Sequence, residues 1–89
     1  MAKDNQKTLK VRVFWNPVAD KERFKGKAEA ITSENRVGEF DILPGHANFI
    51  SLIFNSLTIQ TTSEEEKTFE FSRGVLEVTS NKVRVFLEV

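Results

Sequence analysis

The sequence predicts an all-β protein, a small sandwich or barrel of seven or more short strands, on three observations. Apolar residues recur with a period of two over nearly the whole chain. Turn signals break that alternation every eight to twelve residues, and no stretch carries the i, i+3, i+4 stripe of an amphipathic helix. With 89 residues there is room for one domain and one core.

The first strand starts at Leu9, with Leu9, Val11, Val13 and Trp15 on one face and Lys10, Arg12 and Phe14 on the other. Asn16-Pro17 ends it, because proline cannot donate to a ladder. After a charged connection, Phe24 to Ile31 alternates weakly and is expected as a strand, although its Lys, Glu and Ala residues also tolerate a helix. Ser33-Glu34-Asn35 is expected as its terminating turn. Val37 to Leu43 follows and stops at Pro44-Gly45. Phe49 to Phe54 is rich in β-formers, and Leu57, Ile59 and Thr61 continue the alternation to a polar tip at Thr62 to Lys67. Phe69 and Phe71 then face one way, and Thr68, Glu70 and Ser72 the other. Ser72-Arg73-Gly74 interrupts the run as a turn or bulge. Val75 to Thr79 and Lys82 to Val89 form a closing hairpin around a two-residue Ser80-Asn81 turn. The expected core contains Val11, Val13, Phe40, Ile42, Leu57, Ile59, Phe69, Phe71, Val83 and Val85.

The pentapeptide KVRVF occurs twice, at Lys10–Phe14 and Lys82–Phe86. Five shared residues are too few for a repeat architecture. Both copies are expected to turn two valines inward and two cations and a phenylalanine outward, and an outward Phe14 and Phe86 would form an apolar patch suited to a partner.

Charge excludes one class. Lys and Arg number thirteen, as do Asp and Glu, so the net charge is zero, whereas a dedicated nucleic-acid binder carries a basic excess. The signs are unevenly placed: residues 1–36 carry nine basic against five acidic residues, residues 37–89 four against eight. Folding interleaves the halves, so this bias need not survive as a surface dipole. The chain has no cysteine, which rules out disulfides and zinc thiolate sites. Its opening residues, MAKDNQKTLK, form no secretory h-region, and no apolar run is long enough to insert in a membrane.

Catalysis lacks a constellation. His46 is the single histidine, so no Ser-His-carboxylate set and no multi-histidine metal site has its second member. Glu64-Glu65-Glu66 reads as a solvated hairpin tip, since consecutive residues of an extended segment point in alternating directions. No glycine-rich loop opens a helix to cradle phosphate. No catalytic, cofactor-binding or metal-binding residue is therefore expected. On its residues alone, His46 reads as a turn residue whose ring caps a neighbouring backbone group, and Glu39 as solvated.

The stretch GEFDILPGHA, Gly38 to Ala47, resembles the G-E-F-G-I-L-P-G-H-A signature of the epsilon subunit of bacterial and chloroplast rotary ATP synthases, called delta in mitochondria. Phe24-Lys25-Gly26 and FSRGVLEVTSNKVRVF extend the resemblance over residues 8 to 89. Departures occur at Asp41 and Asn48, where the family has glycine and often proline, and at Arg73, which replaces the first glycine of a double-glycine step. Asn55-Ser56 occupies the place of a Pro-Gly-type turn.

What the resemblance implies is a β-sandwich of about ten short strands at residues 8–89, preceded by a flexible segment at 1–7. It further implies a rotor subunit at the foot of the central stalk, non-catalytic itself, that clamps the gamma subunit to the c-ring of a proton- or sodium-translocating synthase. The domain would sit peripherally on the cytoplasmic face of the energy-transducing membrane, and be monomeric in isolation. The contact loop maps onto Glu39, Phe40, Asp41, Ile42, Leu43, Pro44, Gly45, His46 and Ala47, with Glu39 facing the ring loops. The inhibitory, ATP-binding helical arm of longer members has no counterpart in these residues. The alternative is a free-standing β-sandwich binding module that keeps the turn only for folding.

Overall fold

The computed structural model describes residues 8–16 and 21–89. The expected flexible segment at 1–7 and most of the charged connection after Trp15 lie outside the described residues. The strands are β1 (Leu9–Trp15), β2 (Lys21–Glu34), β3 (Glu39–Ile42), β4 (Phe49–Thr61), β5 (Glu66–Thr79) and β6 (Lys82–Leu87). They run in the order β1-β6-β5-β4-β2-β3, and β1 also pairs with β2, so five strands close on themselves and β3 is appended to β2.

The described residues therefore form six strands rather than about ten. The higher count splits the chain at Asn55-Ser56 and at Ser72-Arg73-Gly74, and neither site is a turn. β4 and β5 stay paired from Phe49↔Val78 to Gln60↔Glu66, with one register shift where Phe54 opposes Arg73 and Asn55 opposes Phe71. Ser72 is the extra residue of a bulge, and Asn55 opposite it has a left-handed φ of 77°. A bulge bends and twists a strand while pairing continues on both sides. The long strands thus turn the corner of the sandwich instead of ending there. β2 does the same: residues 21–28 pair with β1, and residues 28–33 with β4, across an irregularity between Ala28 and Ala30. One layer comprises the first half of β2, β1, β6, the second half of β5 and the first half of β4. The other comprises β3 and the remaining halves.

Two glycines serve these bends. Gly74 is buried against β6, and a Cβ there would lie 2.7 Å from the Phe86 carbonyl oxygen. Gly26 lies under the Phe24 ring, whose Cζ would be 3.1 Å from an added Cβ. The ring covers the gap that the missing side chain leaves in the strand.

The second turn falls later than Ser33-Glu34-Asn35. Ser33 is buried and its Oγ donates to the Ser56 carbonyl at 2.7 Å, which holds this part of β2 in the sheet. The chain reverses over Asn35–Gly38, where the Asn35 Oδ1 accepts from the backbone N–H of Val37 (2.9 Å) and Gly38 (3.2 Å). Val37 consequently belongs to the turn, not the strand, and is 96% exposed. The Ser80-Asn81 turn is as expected: both residues have positive φ, 51° and 63°, as a type I′ hairpin requires.

Eight of the ten expected core residues are buried, while Phe40 and Phe69 are half-buried and pack against the core edge. Leu9, Ala28, Ile31, Ile53, Leu76, Val78 and Leu87 complete it. The two KVRVF copies lie side by side, parallel and in register, from Lys10↔Lys82 to Phe14↔Phe86. Their valines are buried and their cations exposed.

Candidate functional site

Glu39 to Ala47 begins on β3, which pairs with β2 along one edge. Charged side chains on such an edge discourage pairing with a second molecule. Glu39 and Asp41 are exposed there. Glu39 lies opposite Glu34, a like-charge pair, and Glu34 Oε2 accepts a hydrogen bond from Asn55 Nδ2 at 3.1 Å. Asp41 Oδ1 accepts from Thr32 Oγ1 at 2.6 Å. The carboxylate that replaces the family's glycine is therefore absorbed by a cross-strand partner.

Ile42 is fully buried and anchors the strand instead of meeting a partner. The next residues leave the sheet. Leu43 is 54% exposed, and the Leu43 carbonyl accepts from the His46 N–H at 3.0 Å across Pro44-Gly45. Gly45 has φ 89°, so with proline before it this is a type II turn. Pro44 and His46 are half-buried, and Gly45 and Ala47 exposed.

The loop is pinned from below. Gly45 N–H donates to Asn81 Oδ1 at 2.8 Å, and Ser80 N–H donates to Asn48 Oδ1 at 3.1 Å. Two asparagine side chains thus tie the loop reciprocally to the β5–β6 turn. Sequence reasoning missed both as site residues. Asn48 was visible only as a departure from proline, and Asn81 only as a turn residue, because their contacts cross 32 and 36 positions. His46 completes the bracing: its Nδ1 is 2.7 Å from the Ala47 carbonyl oxygen, and its ring stands edgewise to Phe49 at 5.4 Å, which in turn meets Phe40 at 5.6 Å. The imidazole packs and caps, as the residue-level reading expects. Glu64, Glu65 and Glu66 are all exposed at the β4–β5 hairpin. Among the described residues no group of three or more His, Asp or Glu side chains is placed to hold a metal ion, and no helix is long and apolar enough to cross a membrane.

The arrangement is a braced, exposed turn carrying few chemical groups. Residues 9–89 match the family described as ATP synthase, Delta/Epsilon chain, beta-sandwich domain. An ATP synthase epsilon chain of Clostridium novyi is 34% identical over 84 residues, which is 92% of this chain and 61% of that protein. One from Psychrobacter arcticus is 34% identical over 82 residues, 91% of this chain and 57% of that one. The chain thus spans only about three-fifths of these relatives. A chain in the cryo-EM structure of the Euglena gracilis mitochondrial ATP synthase shares the fold with a TM-score of 0.81 at 17% identity, covering 91% of this chain and 51% of that chain. One in the central stalk and c-ring of the Tetrahymena thermophila enzyme gives 0.65 at 22% identity, covering 91% and 65%.

Proposed function

Since the chain belongs to the ATP synthase delta/epsilon β-sandwich family, we propose that it is a central-stalk subunit joining gamma to the c-ring. In this reading residues 8–89 act as one rigid domain, peripheral at the cytoplasmic face of the membrane and non-catalytic. Ion flow turns the ring, the ring turns this domain with gamma, and bond chemistry takes place in other subunits. The observation that carries the reading is the braced turn. A torque-bearing contact must not yield, and the Pro44-Gly45 turn is held by a type II hydrogen bond, by Asn81 and by the Asn48–Ser80 tie. The free-standing module gains no support from the departures at Asp41 and Asn48, because each has a local role within this fold.

Glu39→Lys tests it. The substitution replaces a like-charge pair with an ion pair to Glu34, so the fold should be kept or slightly strengthened. Against cationic or polar ring loops it introduces repulsion, which at an interface rim acts mainly on association rate and salt dependence. ATP-driven proton pumping in vesicles should fall at low salt and recover as salt rises, with Glu39→Gln affected less and circular dichroism unchanged. Pumping equal to wild type at low salt would remove Glu39 from the ring contact.

A further inference from the structure

The outer face of the layer built on β1 and β6 carries a charge pattern that the fold itself does not explain. Parallel register sets Lys10 beside Lys82 and Arg12 beside Arg84. Antiparallel register then adds Lys27 beside Lys10 and Lys25 beside Arg12. The result is two rows of three cations across three strands, neighbours being about 4.8 Å apart along each row. Like charges directly opposite one another destabilise a sheet. The chain has as many acidic as basic residues, yet among the described residues the ion pairs here are Arg12–Glu22 and Arg84–Glu77, at 2.6 Å each. Both engage the arginines of the second row, which leaves Lys25 of that row and all three lysines of the first without a carboxylate partner among the described residues. Lys10, Lys25, Lys27 and Lys82 line a depression of about 650 Å³, which the Arg84–Glu77 pair also borders.

The next row on the same face is apolar. Phe14 stacks on Phe86 at 5.3 Å and 12°, Phe86 opposes Val75, and Val75 opposes Leu52. Leu52 is 47% and its neighbour Ile50 68% exposed. The faces of the two rings are taken up by each other and by Arg12 and Arg84, whose guanidinium carbons lie 5.0 and 6.0 Å from the ring centroids. Nucleic-acid bases would need those faces for stacking. A small polyanion would use the cations and leave the apolar row in water.

We infer that this face docks an acidic, amphipathic segment of a partner protein, its carboxylates on Lys27, Lys10, Lys82 and Lys25 and its apolar side on the Phe14–Phe86–Val75–Leu52 row. The surface shares no residue with the Glu39–Ala47 loop, so the inference stands apart from the ring contact proposed above. The selecting observation is charge complementarity in register with an apolar stripe.

The test uses the whole 89-residue chain, labelled with nitrogen-15. The probe is a synthetic helical peptide of about 18 residues, five turns, with Leu along one face and Glu along the other. Comparison ligands are its scrambled isomer, its Lys-for-Glu version, inorganic tripolyphosphate and a single-stranded oligonucleotide. Amide shifts should concentrate on Lys10–Phe14 and Lys82–Phe86. The amphipathic acidic peptide should bind roughly tenfold or more tightly than the scrambled and Lys versions, and more weakly as salt rises. Lys10→Glu/Lys82→Glu should lose that preference while melting close to wild type, since position 10 gains attraction to Lys27 and the like-charge contact with position 82 only changes sign. Leu52→Ser, at an exposed position of the apolar row, should weaken binding without altering its salt dependence. Absence of shifts on this face, or equal binding of the scrambled peptide, would overturn the inference. Tighter binding of tripolyphosphate or the oligonucleotide would replace it with a simple anion or nucleic-acid site. Should the double charge reversal not fold, Lys25→Gln provides the same reading.

Discussion

Thr32 donates to Asp41 at 2.6 Å, and Thr58 and Thr68 share a hydrogen bond at 3.2 Å, in a row that crosses β3, β2, β4 and β5. On the opposite layer the corresponding rows are Lys27, Lys10 and Lys82, then Lys25, Arg12 and Arg84. Both faces meet water above the same core, but the first finds partners for its polar groups within the molecule. The second sets four lysines beside one another, with no carboxylate paired to them among the described residues. A face whose interactions are closed contributes to stability and offers little to a ligand. A face left unsatisfied gives up stability that a partner can restore, the trade expected where binding competes with folding.

The two layers differ on their outer faces, so their inner sides should respond alike. Ile59 on the threonine layer and Leu76 on the lysine layer are both fully buried. Truncating either to alanine should cost about 2–5 kcal/mol in denaturant unfolding. A large inequality would mean that the layers differ in packing as well. A smaller effect separates the faces themselves. Thr32→Val keeps the shape and removes the hydrogen bond to Asp41, and should cost about 0.5–1.5 kcal/mol. The smallest is Lys10→Glu, which sets an acid between Lys27 and Lys82. It should raise stability by about 0.2–1 kcal/mol at low salt, the gain fading as the Debye length shrinks. A loss instead would show that the lysine rows are already neutralised within the molecule.

Much of this was legible in the residues. Period-two alternation located every strand described, and Pro44-Gly45 announced its turn because each residue restricts or permits one backbone torsion. What escaped has two causes: long-range pairing overrides local signals, and a side chain can move a turn by capturing backbone donors. Ser72-Arg73-Gly74 and Asn55-Ser56 look like chain reversals, but a bulge lets both strands bend together. Val37 looks like strand, yet the Asn35 side chain captures two backbone donors and moves the turn over it. The alternation also predicted that the two KVRVF copies would turn the same faces inward, while their lateral register could not be read from either copy alone. The cation rows were unreadable for the same reason: the parallel pair sets Lys10 and Arg12 of the basic half beside Lys82 and Arg84 of the acidic half. At the loop, Pro44, Gly45 and His46 were visible as turn residues. The asparagines that stiffen it were not, since a side chain's distant partner leaves no local trace.

The parallel junction of β1 and β6 also has a consequence in time. Residues 10 and 82 become neighbours, so the step that closes the barrel must wait until β6 has been synthesised and brought round to β1. Pairings this far apart in sequence carry a high loop-closure entropy and slow the search for the native state. Before closure, β1 and β6 each present an unpaired edge with the same five-residue pattern. Refolding is therefore expected to be slow for so small a domain, with the β1–β6 closure as its last event.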